Sequence, residues 1–270
     1  MSKVDLQIHC VTNKEIPHLD KTKLILAGVG EENFPNHYLL SKNKQNIFEK
    51  EKFYSELTFH YWYWKNRLDL SNKNWVGFCQ RRRLWIKSES EGNLIDKYNI
   101  TSHLLENAED SWKDYESIIC KPISVYPVKK MKILKRGWKS LMKDPSILFD
   151  YKKQTVLLHF DMHHGYGNLE KAINLLNSND KYDFYEYVKT KNKFNPHIMY
   201  ISKSNILNNW FKSLFSWLEN CESIFDKSNL INYDTTRLLA FLAERYSSYW
   251  FKKNTNFKEQ PWIFIDPDNK

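Results

Sequence analysis

Trp75, Val76, Gly77, Phe78 and Cys79 follow one another without a single charged residue. A run this short and this apolar reads as a strand buried on both faces, and such strands belong to sheets covered by helices. The rest of the chain supplies both kinds of element. "VDLQIHCVT" (4–12) and "KLILAGVG" (23–30) read as short strands, the second ending in a glycine turn. "ESIICKP" (116–122) is a strand stopped by Pro122, and "PHIMYISK" (196–203) and "PWIFID" (261–266) are two more. Between them the spacing turns helical. Phe53, Leu57, Tyr61 and Trp64 fall on one stripe of a helix predicted from Lys52 to Arg67, with Glu56 and His60 beside it. Ser204 opens an amphipathic helix to about Glu222, and a last long helix runs from about Asp234 to Lys253. The segment 154–176 begins as a strand or a helix end and turns at Gly165 and Gly167. It then starts a helix near Asn168, with Asn168 as cap. Strands alternating with helices predict an α/β fold with helices on both sides of the sheet.

At 270 residues, one large core is affordable, and a single domain over 1–270 is expected. An aromatic share of 16% makes that core rich in rings. Cys10, Cys79, Cys120 and Cys221 lie far apart with no Cys-x-x-Cys spacing, as expected of reduced thiols in a cytosolic protein. No eighteen apolar residues run together and the N-terminus has no uninterrupted hydrophobic segment, so neither membrane spanning nor secretion is expected. The net charge of +9 comes mostly from scattered lysines, which suits a solvated surface. The exception is "KKMKILKRGWKSLMKD" (129–144), where Met131, Ile133, Leu134, Trp138, Leu141 and Met142 interleave with the lysines as in a surface amphipathic helix. An acidic membrane face would suit it, so peripheral contact with a membrane is one expectation.

Five ordered blocks carry a family resemblance: "NIFEKEKFYSELTFHYWYWKN", "WVGFCQRRR", "FDMHHGYGNLEKAI", "FNPHIMYISKSNIL" and "RLLAFLAERY". Together they resemble a bacterial family of capsular and exopolysaccharide biosynthesis proteins, long described only as a domain of unknown function. That family looks like nucleotide-sugar glycosyltransferases of the GT-A type. The family pattern falls on Asn46, Glu49 and Lys50, and then on Glu56, Leu57, Thr58, Tyr61, Trp62, Trp64, Lys65 and Asn66. It continues on Gly77, Arg82 and Arg83, on His163, His164 and Leu169, on Asn195, and on Phe241, Leu242, Ala243, Glu244 and Arg245. One departure stands out, because the pattern has histidine-tyrosine before the arginine pair and this chain has Gln80 and Arg81. The resemblance implies a GT-A-like mixed sheet flanked by helices with a helical C-terminal part. It also implies a nucleotide-sugar-binding portion over about 1–125 and an acceptor and catalytic portion over about 126–270. The implied reaction transfers a sugar from a nucleotide-diphosphate donor to a saccharide or lipid-linked saccharide.

Such a transfer needs a group to stabilise charge on the departing diphosphate and a base for the acceptor hydroxyl. Many GT-A enzymes use a divalent metal, manganese or magnesium, on an Asp-x-Asp loop. Here the strand at 75–79 runs into "QRRR" with no carboxylate, so no metal ligand is fixed by sequence. Arginine's planar fork binds phosphate oxygens in pairs, and Arg82, with Arg81 or Arg83, can stand in the metal's place. Strand alternation puts Arg81 and Arg83 on one side and Arg82 on the other. The same cluster is equally readable as a solvated edge. Thr12, Glu56, Lys65, Asn66 and Gln80 are further donor-binding candidates, while Trp62 and Trp64 read as core. In "HFDMHHG", Asp161 and His163 can form an acid/base pair or ligate a metal, with His164 on the donor side. Glu244 is a third base candidate beside Asp161 and His163; its neighbour Arg245 can bind donor or simply hold Glu244 in a buried ion pair. Asn195 and His197 can close the donor pocket or complete a metal site. Two other readings stand beside the transferase: an inert sugar-binding or assembly module, suggested by the missing histidine and missing Asp-x-Asp, and a basic nucleic-acid binder, suggested by a pI near 9.1. No nucleic-acid motif is present, so nucleic acid is not an expected partner.

Overall fold

The computed structural model describes residues 5–225 and 233–266. In chain order its strands are β1 (Leu6–Thr12), β2 (Ile25–Gly28), β3 (Leu39–Leu40), β4 (Trp75–Gln80), β5 (Arg83–Trp85), β6 (Ser117–Cys120), β7 (Ile123–Ser124), β8 (Lys193–Phe194), β9 (Tyr200–Ser202), β10 (Phe257–Gln260) and β11 (Trp262–Phe264). The α-helices are α1 (Glu51–Tyr54), α2 (Leu57–Asn66), α3 (Ile100–His103), α4 (Lys130–Arg136), α5 (Trp138–Lys143), α6 (Val156–His164), α7 (Asn168–Ile173), α8 (Ser178–Thr190), α9 (Ser204–Ile224), α10 (Tyr233–Thr236) and α11 (Leu238–Asn254). Two compact units result. The first takes Met1–Lys121, His197–Ser213 and Trp250–Lys270, and the second takes Pro122–Pro196 and Leu214–Tyr249.

The first unit holds a nine-stranded sheet whose main path is β10-β6-β9-β4-β1-β2-β3, with β5 joined to β4 and β11 to β5. β1 lies parallel to both β2 and β4, while β9 runs antiparallel to β4 and β6. Alternation along β1 and β4 sorts two layers. Leu6, Ile8 and Cys10 join Trp75, Cys79, Ile118 and Ile201 in an apolar cluster on one side. On that side Gly77 is required by space: a Cβ there would sit 2.6 Å from Cγ1 of Ile201 and 3.3 Å from Cγ1 of Ile8. On the other side His9 and Phe78 meet the rings of α2, with His9 to Tyr63 at 4.7 Å and His60 to Phe78 at 4.3 Å between centroids. Most of the aromatic run is therefore scaffold, and Trp62 is buried with its indole N–H on Asn43.

Several elements differ from the sequence reading, each for a local reason. The helix expected over 52–67 is broken at Ser55, whose φ of 52° ends α1. The break resets the phase, so α2 buries Leu57, Phe59, His60, Trp62 and Tyr63 rather than the stripe through Tyr61 and Trp64. The strand expected from 196 shrinks to Tyr200–Ser202 because His197 and Ile198 hold φ of 74° and 46°. Residues 156–164 are helical, capped by Thr155, and Gly167 rather than Asn168 caps α7. β10 carries almost no apolar signal, since "FKEQ" joins the sheet by backbone pairing with β6.

The second unit pairs β7 with β8 and packs α6, α7 and α8 with parts of α9 and α11. Its core is again aromatic. Trp217 lies 4.8 Å from Tyr246, Phe184 lies 5.3 Å from Tyr246, and the Trp217 indole donates to the Ala172 carbonyl at 2.7 Å.

The ring layer of the first unit carries a pH cost. Burial drives His9 down to about 4 and His60 down to about 3, and the Tyr200 hydroxyl lies 2.7 Å from Nδ1 of His60. Above about pH 6.5 both states are neutral; below it the unfolded chain takes protons that the folded chain refuses. Stability from these groups is thus present above 6.5 and is lost as pH falls toward their folded values. Replacing one histidine should reduce the pH slope of stability by up to about 1.4 kcal/mol per unit. We expect His60→Phe to show this flattening between pH 6.5 and 4 in urea-unfolding midpoints, beside a pH-independent loss from the orphaned Tyr200 hydroxyl. A slope identical to the wild type would refute the assignment.

Candidate functional site

β1 sends its first connection to β2 on one side, and the chain later returns to place β4 on the other. The order of the sheet therefore reverses between β1 and β4. In open α/β sheets a crevice for ligands forms outside the carboxyl ends of the strands at such a switch point. The residues standing there are Thr12, which ends β1, and Gln80, which ends β4.

Directly after Gln80 the chain makes a tight hairpin. Gln80 pairs with Arg83 across the β4–β5 ladder, leaving Arg81 and Arg82 as the turn. The three arginines thus occupy a hairpin tip, not the extended strand end that alternation assumed. The Arg81 amide donates to the Val11 carbonyl at 3.1 Å, which pins the tip to β1. Arg82 Nε approaches Asp266 Oδ1 at 3.4 Å, and the Arg83 guanidinium lies 5.4 Å from the centroid of the Phe264 ring. All three arginines keep intermediate exposure.

Gln80 organises the approach to this tip. Its amide N–H₂ donates to the Glu56 carboxylate and, at 2.9 Å, to the His197 carbonyl, while its amide oxygen accepts from Arg83 at 3.4 Å. Every polar atom of that side chain is engaged. Glu56, at the start of α2, and the left-handed His197 backbone are thereby tied to the end of β4. Thr12 turns inward on its own loop, its hydroxyl accepting from the Lys14 amide and donating to the Lys14 carbonyl.

Lys65 and Asn66 lie elsewhere. Nine residues of helix put Lys65 about 14 Å along α2 from Glu56. Its ammonium sits 3.4 Å from the centroid of the Trp64 ring, and burial lowers its pKa. The Asn66 amide donates to the Gln45 and Trp62 carbonyls.

The remaining candidates belong to the second unit. Two helical positions separate Asp161 from His163, about 200° around α6, so the two side chains diverge. Asp161 accepts from the Gly167 amide at 3.0 Å, and burial raises its pKa to about 6. It lines a pocket of about 400 Å³ with Lys143, Lys153, Tyr166, Glu170 and Tyr185. His163 instead donates from Nδ1 to the His159 carbonyl at 2.8 Å. His164 is buried, stacked 3.8 Å from the Phe241 ring centroid.

Arg245 is fully enclosed. It pairs with Glu244, donates to His159 Nδ1 at 3.2 Å, and stacks 4.0 Å from the Phe194 centroid. Burial first, then that guanidinium, push His159 down to about 2, which matches its role as acceptor. Asn195 is tied to α11: its backbone N–H donates to Ser248, whose hydroxyl donates back to the Asn195 side chain, both at 2.8 Å. Among the described residues no three His, Cys, Asp or Glu side chains gather as a metal-binding group.

Two residues that sequence reasoning missed are His18, close enough for the Arg81 charge to help lower its pKa after burial, and Asp266 beside Arg82. Nothing in the local sequence marks Asp266. Its position follows only from the antiparallel pairing of β11 with β5.

Residues 7–255 match the family model described as a domain of unknown function (DUF4422). The chain belongs to that family. No curated protein matches it. A solved structure, the WbbM bifunctional glycosyltransferase in its apo form, superposes with a TM-score of 0.70 at 21% identity, covering 97% of this chain and 45% of that one. The chain thus spans less than half the length of this neighbour. The fold is accordingly GT-A-like, a mixed sheet flanked by helices.

The Gln80 bridge gives a direct test. In Gln80→Glu the donors to Glu56 and His197 disappear and two carboxylates face each other. We expect a loss of about 1–3 kcal/mol at pH 8. Part of it should return as pH falls and the new carboxyl protonates. Urea midpoints at pH 8 and pH 5 measure both; an unchanged midpoint at pH 8 would show that the bridge contributes nothing.

Proposed function

We propose that the chain is a glycosyltransferase that moves a sugar from a nucleotide-diphosphate donor to a saccharide or lipid-linked saccharide in surface-polysaccharide biosynthesis. The observation that carries this reading is the arginine hairpin at the C-terminal ends of β1 and β4, where the strand order reverses. The GT-A-like fold and the likeness to a bifunctional glycosyltransferase support it.

In this reading the acceptor hydroxyl oxygen forms a bond to the anomeric carbon as the bond from that carbon to the diphosphate oxygen breaks. The electron pair leaves with the nucleoside diphosphate, and the hydroxyl proton passes to a base. Guanidinium groups at the hairpin meet the growing negative charge, which is where transition-state stabilisation has most effect. Gln80, Glu56 and the His197 carbonyl hold the hairpin's root, so the arginines need little reorganisation on binding. A divalent metal would supply the same charge stabilisation. The arginine assignment makes activity tolerant of chelator.

Of the three base candidates, all in the second unit, Asp161 is the one that lines that unit's pocket of about 400 Å³. A pKa of about 6 lies near working pH, where a general base is most effective. Its pocket offers the Tyr166 and Tyr185 rings for sugar faces and Glu170 for hydroxyls. Glu244 is committed to Arg245, and His163 spends Nδ1 on a helix carbonyl.

Two measurements test these assignments. Arg82→Ala should weaken binding of UDP, GDP or dTDP, whichever the wild type prefers, by about tenfold or more in titration calorimetry. The half-exposed pair with Asp266, at 3.4 Å, is worth about 1 kcal/mol, so the melting temperature should move little. Equal affinity in the two proteins would remove the phosphate role. Asp161→Asn should abolish sugar transfer and yet stabilise the fold at pH 7. The raised pKa means that the folded state holds a proton the unfolded state has released between about pH 4 and 6, so wild-type stability falls as pH rises through that window. The variant escapes that loss, and its advantage should vanish below pH 4. Full activity in the variant would exclude Asp161 as base.

A further inference from the structure

Among the described residues, six of the thirteen exposed large hydrophobic side chains fall within 131–151: Met131, Leu134, Trp138, Met142, Phe149 and Tyr151. Met142 and Phe149 are 75% and 76% exposed. Their distribution is ordered. Met131 and Leu134 are i, i+3 on α4, and Trp138 and Met142 are i, i+4 on α5, so each helix carries an exposed apolar pair on one side. The opposite side is already used, because Ile133 packs with Ile147, Leu158 and Met162, with Leu141 and Leu148 against them. The helix pair is therefore anchored by its inner face and presents a second apolar face to the outside.

Charge surrounds that outer face. Residues 129–153 carry eight lysines and Arg136 against two acids. Both acids are locally engaged, Asp144 with the Lys153 ammonium at 2.7 Å and Asp150 as acceptor from the Lys152 amide. Lysine stems lie along the rings, with Lys130 Nζ 4.9 Å from the Phe149 centroid and Lys139 Nζ 5.7 Å from that of Trp138. Such side chains reach outward from an apolar surface with the charge at its rim.

We propose that α4, α5 and the loop through Tyr151 form an interfacial docking surface for a lipid bilayer rich in anionic headgroups. The apolar face enters the boundary between headgroups and acyl chains, and the cations meet the lipid phosphates. The charge selects this occupant. A second copy would set one cationic face against another, and a nucleic-acid backbone would leave the exposed apolar face without a partner. Among the described residues no helix is long and apolar enough to cross a membrane, so this surface lies on the bilayer rather than in it.

The test is flotation of the full chain with vesicles of phosphatidylcholine alone and of phosphatidylcholine mixed with phosphatidylglycerol. We expect binding to the mixed vesicles only, weakening with added salt. Changing Lys130, Lys135 and Lys139 to Gln should lower vesicle affinity on the order of a hundredfold, about fivefold for each charge. Trp138→Ser with Met142→Ser should also lose binding while keeping the wild-type melting temperature, since both side chains are exposed. Absence of vesicle binding would overturn the proposal, as would full binding by the Ser double variant. So would a concentration-dependent dimer in sedimentation that the Ser double variant abolishes, or tighter binding to a DNA duplex than to the mixed vesicles.

Discussion

The structure of the first unit depends on β1 being hydrogen-bonded on both sides by parallel neighbours. A strand so placed has no free edge, and every side chain of β1 but Gln7 is buried, the polar His9 and Thr12 included. Parallel neighbours also require crossovers, and the segment between β2 and β4 supplies one that contains α1 and α2. The ring layer on one side, the aliphatic layer on the other and the reversal of strand order between β1 and β4 all follow from that single arrangement. Gly77 shows how little slack remains, because the sheet closes over the place where its side chain would stand.

Much of this was legible in the residues. Apolar runs such as "WVGFC" and "SIIC" announce themselves, since a strand buried on both faces admits little else. The helix of rings was also visible, but its phase was not. Periodicity assumes a continuous helix, and Ser55 interrupts it with a backbone conformation that serine does not advertise. β10 escaped notice because an edge strand can join a sheet through backbone groups alone.

The site was legible in kind and less so in arrangement. The three arginines stood out at once, while their placement on a hairpin depends on β5 finding both β4 and β11. Local pattern cannot supply such long-range pairing. Reading "HFDMHHG" as a strand or a helix end left Asp161 and His163 free to cooperate; as a full helix it sends one toward a pocket and the other along its own axis. Arg245 and Glu244, attractive as chemistry in one dimension, sit with His159 and Phe194 as a buried cluster whose bonds are largely internal. A buried ion pair of this kind is weak evidence for stability.

Gln80 carries a consequence of its own. A histidine at this strand end would bring a group whose charge changes near neutral pH. Glutamine offers comparable hydrogen bonds with no proton to gain. Gln80 itself therefore adds no pH-dependent charge to the support beneath the arginine hairpin, and the ionisable side chain that it holds there is Glu56.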